Sequence, residues 1–224
     1  MSLRQISSAR RWMTGYWACA VIHVVAVACD VTALRRLSKA ALMPSLAAWV
    51  RAQEGPPLLI AALLASAAGD LLMELKLLLP AMALYAAAHA CYIALFLPGR
   101  TRAAWQAVAA YGVLGLAVLL MLWPGLGLYR APVAVYALML MATAVTSLWY
   151  GDRAGLGGAL FVVSDSLIGV QLAGHDFRTR GSLVMATYGI GQYQLAAGAL
   201  RGHWRRLAAA SGPGLQVQSR RAYG

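Results

Sequence analysis

Runs of about 20 apolar residues, separated by breaks of a few polar ones, fill the chain from Trp12 to Leu200, and a run of that length as helix matches the hydrocarbon thickness of a bilayer. Backbone inside lipid must satisfy its own hydrogen bonds, so such runs are helices or barrel strands. The runs are too long and continuous for the ~10-residue alternating strands of an outer-membrane barrel. Composition agrees: 61% of residues are hydrophobic and 12% charged, with mean hydropathy +0.66, against a soluble norm of roughly 45–50% apolar and about 25% charged. The expected fold is all-α, a polytopic transmembrane helical bundle of about eight spans forming one domain over residues 1–200. A basic tail, 201–224, has no apolar period and is expected to be frayed and solvated.

The spans are expected at Trp12–Cys29, Lys39–Val50, Pro57–Met73, Leu77–Leu97, Ala103–Trp123, Ala131–Tyr150, Gly155–Ala173 and Gly181–Leu200, with the second unusually short. The first is longer than a signal-peptide core and reads as a retained helix. Gly55-Pro56-Pro57, Pro98-Gly99, Pro124-Gly125 and Gly174 punctuate the breaks. An even count puts both termini on one side. That side carries 12 of the 19 Lys and Arg residues, five of them in the tail, so the termini are expected in the cytoplasm. The net charge of +12 would suggest nucleic acid in a soluble chain. Here the basic residues sit in the breaks and tail, so the expected partner is the bilayer and its headgroups, not nucleic acid. Cys19, Cys29 and Cys91 show no metal-ligand spacing and read as structural thiols, and no metal or cofactor is expected.

Against this background the polar residues within spans stand out, because a carboxylate in hydrocarbon costs several kcal/mol and marks a functional site by default. Asp70 closes the stretch Ser66-Ala67-Ala68-Gly69-Asp70, and Asp165 lies between Ser164 and Ser166 with no cation in its span. Ser66, Asp70 and Glu74 share one helix face; Tyr85, His89 and Tyr92 share another, and Tyr188 and Gln192 a third. Antiparallel helices place Lys39, Asp70, Tyr136 and Asp165 in the half of the membrane away from the termini, with His89, Tyr188 and Gln192 near mid-depth. This clustering implies a polar cavity opening to that face. Blander roles are open for each: Asp70 as a salt-bridge partner of Lys39 or Lys76, Glu74 as an ion pair with Lys76, His23 and His89 as interhelical hydrogen bonders. No GxSxG turn, HExxH pair or phosphate-binding glycine loop competes.

In their order and spacing these residues resemble the YhhN family of lysoplasmalogenases. The resemblance covers about Ser38 to Leu200. It rests on Lys39 with Leu42-Met43-Pro44, on Ser66 to Asp70, on Ala88-His89-Ala90-Cys91-Tyr92 with Phe96, on Tyr136 with Met141, and on Gly158 to Asp165 followed by Tyr188 and Gln192. Two departures are Ala40, where bacterial relatives commonly carry Pro, and Leu84-Tyr85 in place of the usual Phe. Both are expected to bear on packing more than on chemistry.

The resemblance implies a membrane ether hydrolase, at a bacterial inner-membrane address, that cleaves the vinyl ether bond of lysoplasmalogen. Its products would be a fatty aldehyde and glycerophosphocholine or glycerophosphoethanolamine. Such chemistry needs one protonated carboxyl and one ionised carboxylate, as in glycosidases, and Asp70 and Asp165 fit these roles. Which is which stays open. The deeper Asp165, beside Phe161 and Val163, is the better proton donor, and Asp70 can meet Lys39. Lys39, Ser66, His89, Tyr92, Tyr136, Ser164, Tyr188 and Gln192 would orient substrate or water, and Lys39 could instead meet the lipid phosphate. The competing class is a proton-coupled transporter of a small solute or lipid. Neither an inverted repeat nor a span broken at mid-depth supports it. Oligomeric state is not legible.

Overall fold

The computed structural model describes residues 3–99 and 104–210. Eight α-helices follow in order: α1 (Leu3–Ala28), α2 (Thr32–Ala52), α3 (Pro57–Glu74), α4 (Leu78–Phe96), α5 (Ala104–Leu122), α6 (Arg130–Tyr150), α7 (Asp152–Leu172) and α8 (Arg180–Ala210). Short 3-10 turns at Leu97–Gly99 and Trp123–Tyr129 are the other regular elements, and no strand occurs among the described residues. Four helical stretches are long and apolar enough to cross a membrane: Pro57–Glu74, Leu78–Phe96, Trp105–Tyr150, which holds both α5 and α6, and Asp152–Leu172. In α2 the charges Arg35, Arg36, Lys39 and Arg51 interrupt the apolar run, and in α8 Arg201, Arg205 and Arg206 do the same.

Three boundaries differ from the sequence expectation. α1 starts well before Trp12. α2 starts at Thr32, which places Lys39 two turns inside the helix rather than at its first turn. α8 runs on to Ala210, so the first ten residues of the expected tail are helical, while 211–224 lie outside the described residues. The extension of α8 has a tertiary cause. Arg206 lies over the Tyr150 ring, 4.4 Å from its centroid, and hydrogen-bonds the Tyr150 hydroxyl.

Tight turns make neighbouring helices antiparallel. α1, α2, α3 and α7 end in the same way: the second residue after the helix turns left-handed, and the next N–H closes back on a carbonyl five residues earlier. In α7 that residue is Gly174, as its sequence suggested, but in the others it is Asp30, Glu54 and Lys76. The bundle closes where α1 and α7 both pack on α8. α7 and α8 approach closely because Gly157 faces Gly191: a Cβ on Gly157 would stand 2.8 Å from the Gly191 carbonyl oxygen. That contact sets Phe161 of α7 against Tyr188 of α8 and Ser164 against Val184. The core, built from Leu42, Met43, Leu46, Leu63, Tyr92, Phe96 and Leu195, packs the bundle interior on the terminus side, with a surface cleft between α1 and α2 at its outer edge.

Candidate active site

At the opposite end, where the odd-numbered helices finish, the core gives way to a chamber of about 130 Å³. Its walls come from α2, α3, α4, α6, α7 and α8, and they are mostly apolar, with both Asp70 and Asp165 among them. Antiparallel depth places those carboxylates in one half of the bundle, and the structure puts them in one cavity.

The two acids are held differently. Asp70 accepts from Tyr85 at Oδ1 (2.8 Å) and from Tyr188 at Oδ2 (2.9 Å), and Lys39 Nζ lies 3.8 Å from Oδ1. Two O–H donors and an ammonium are the partners of an ionised, acceptor-only carboxylate. Gly69 makes this possible, since a Cβ there would stand 2.7 Å from the Tyr85 ring and push it away. Asp165 has one hydrogen bond among the described residues, from the Tyr136 hydroxyl to Oδ2, and no cation. Phe161 and Ile168, about one turn before and after it, share its wall of the chamber.

Behind Tyr136 the chain of hydrogen bonds continues. His89 Nε2 lies 3.1 Å from the hydroxyl of half-buried Tyr136, and His89 Nδ1 lies 2.9 Å from the buried Thr143 Oγ1. Because Tyr136 donates to Asp165, Nε2 donates to Tyr136 and Nδ1 accepts from Thr143, a direction set by the network. Edge-on contacts of His89 with Phe161 and of Phe161 with Tyr188, at 5.1 and 5.6 Å between centroids, fix the rings around the chamber.

Of the residues singled out in the sequence, Lys39, Asp70, Tyr136, Ser164, Asp165 and Tyr188 line the chamber, and His89 stands one bond behind it. Ser66, Tyr92 and Gln192 form a separate buried group one turn towards the terminus end. There Tyr92 donates to Gln192 Oε1 (2.5 Å), and Gln192 Nε2 lies 3.5 Å from Ser66 Oγ. Ser164 Oγ donates to the Val184 carbonyl at 3.1 Å and ties α7 to α8. Glu74 pairs with Lys39 (3.5 Å) and Arg36 (3.9 Å), not with Lys76. Thr143 was not foreseen, although its spacing of seven from Tyr136 puts both on one face of α6. Tyr85, expected to affect packing, instead contributes a hydroxyl to Asp70.

Fold and chamber together define an all-helical membrane protein whose two acids, Asp70 buried and Asp165 half-buried, line one chamber at one end of its bundle. The YhhN family pattern matches residues 34–199, and the chain belongs to that family. Membership is consistent with a membrane hydrolase. Comparison with curated proteins and with solved structures returns no match.

Proposed function

We propose that the protein is a lysoplasmalogenase embedded through all eight helices with both termini cytoplasmic, and that its chamber hydrolyses the vinyl ether of a lysophospholipid. The observation that carries this reading is the unequal treatment of two carboxylates facing one apolar cavity: Asp70 with three donors, Asp165 with one. Asp165, as the protonated acid, gives its proton to the vinyl carbon remote from oxygen, and the carbon bonded to oxygen becomes an oxocarbenium centre. Asp70, kept ionised by Tyr85, Tyr188 and Lys39, stabilises that cation and takes a proton from the attacking water. The hemiacetal then collapses to an aldehyde and a glycerophospho-alcohol, its hydroxyl proton ending on the leaving glycerol oxygen, and the proton held on Asp70 returns through water to Asp165, for a net consumption of one water. When Asp165 regains its proton, the chain through Tyr136, His89 and Thr143 can reverse direction without moving a heavy atom, so either state is satisfied. The filled core at the terminus end supports a one-ended site over a transport path.

The experiment is aldehyde release from lysoplasmalogen by the full chain in mild detergent, with a saturated-ether lysolipid as control. Run in D2O, the reaction should place one deuterium on the carbon next to the aldehyde. Aldehyde without that label, or none from folded protein, removes this mechanism.

A further inference from the structure

Outside the chamber lies an open vestibule of about 620 Å³, which shares Lys39, Met73, Ile168, Val184 and Met185 with it, so the two cavities meet at that ring. Four cations line the vestibule, Arg35, Lys39, Arg178 and Arg180, against two acids, Glu74 and Asp176. Two of the cations are committed. Lys39 is shared between Glu74 and Asp70, and Arg180 Nε is 2.7 Å from Asp176 Oδ1. Arg35 has a 3.8 Å contact to Asp30, whose side chain is 92% exposed, so water screens that pair, and its Nε is buried with no hydrogen-bond partner. Arg178 has no ion pair among the described residues. Two uncommitted guanidinium groups thus reach the same cavity from α2 and from the α7–α8 turn.

We propose that the vestibule is an anion-binding subsite for the phosphate of the lysophospholipid, held by Arg35 and Arg178, an assignment that rests on the hydrolase reading above. Guanidinium groups present paired donors that match phosphate oxygens. In a lysoplasmalogen the phosphate and the vinyl ether are one glycerol apart. With phosphate at the vestibule wall, the glycerol passes the shared ring and the double bond enters the chamber.

Binding can be read without turnover. The probes are a saturated alkyl-ether lysophosphoethanolamine, an alkylglycerol of the same chain length, and inorganic phosphate, titrated against full-length protein in mild detergent. The wild type should bind the lysophospholipid at least about tenfold tighter than the alkylglycerol. The Arg35→Gln/Arg178→Gln variant should lose that preference with alkylglycerol affinity unchanged, which also reports an intact chamber, and Arg35→Lys/Arg178→Lys should keep part of it. Equal affinity of the wild type for both lipids, or a preference that survives the Gln variant, overturns the proposal. Inorganic phosphate binding as tightly as the whole lysolipid would assign the site to free phosphate and overturn the lipid assignment. Absence of aldehyde in the turnover assay would instead remove the hydrolase reading, and the binding data would stand apart from it.

Discussion

Tyr136 is the joint between His89 and Asp165: one phenol hydroxyl meets Nε2 of the histidine at 3.1 Å and is the donor to the carboxyl of the aspartate. Tyr136→Phe removes the hydrogen bond of Asp165 while keeping the ring against His89. We expect kcat to fall by about 10²-fold with the protein still folded, in the range of a lost acid–base partner. Thr143→Val, one residue further back, should cost about tenfold in kcat with KM unchanged, as orienting partners do. Steady-state kinetics of the two variants check both.

The two acids should separate stability from activity in opposite ways. Asp165→Asn should abolish aldehyde release and leave the melting temperature equal or higher, because a half-buried acid with one hydrogen bond is held for function, not for the fold. Asp70→Asn should also abolish turnover but lower stability by about 1–3 kcal/mol, since the amide cannot accept from both phenols and meet Lys39 as the carboxylate does. Thermal melts in one detergent decide; a strongly destabilised Asp165→Asn would contradict the division.

Lys39 and Asp70 are buried together at 3.8 Å. Lys39→Met leaves Asp70 in an apolar wall without a cation, at a cost of about 3 kcal/mol. Adding Asp70→Asn to Lys39→Met should restore most of that stability and none of the activity. The double variant failing to recover would show that the pair is not coupled.

In the α7–α8 turn, the Arg180 guanidinium and the Phe177 N–H hold the exposed Asp176 carboxyl below its usual range. Its folded value is depressed, so the pair is complete above the ordinary carboxylate range and loosens as pH falls through the folded value. At neutral pH Arg180 therefore stays committed. Asp176→Asn should release it to the vestibule and lower KM for lysophospholipid by about threefold, with kcat unchanged. Kinetics at neutral pH test this, and 1 M salt should shrink the difference.

Lys76 caps α3 at φ 59° with its side chain exposed and outside the chamber. Lys76→Gly removes the Cβ that disfavours this backbone and should stabilise the protein by about 0.5–1 kcal/mol without altering kinetics. A lower melting temperature would count against a strained cap.

The order of the eight helices was legible because each apolar run is bounded by residues that cannot continue in lipid, and Asp70, His89 and Asp165 stood out for the same reason. The ends of α1 and α8 were not. Their outer turns are polar, and what holds α8 past Leu200 is a contact with Tyr150 that no local pattern encodes. The caps at Asp30, Glu54 and Lys76 were hidden because left-handed geometry was sought at glycines. Periodicity joined Ser66 to the face of Asp70, and the family resemblance added Tyr92 and Gln192 to the site; packing shows the three as a separate layer one turn away. The partners of Glu74 depended on α2 starting at Thr32, which its charged first turns concealed.

A chamber that opens where α1, α3 and α7 end, above a filled core, gives the protein access to one leaflet. On the hydrolase reading proposed above, lysolipid made in the other leaflet would have to flip its headgroup across the bilayer before cleavage. The aldehyde, lacking a headgroup, would cross freely, whereas the glycerophospho-alcohol would be released on the side where the vestibule faces water. The orientation of the bundle would thus sort the two halves of each substrate molecule between compartments.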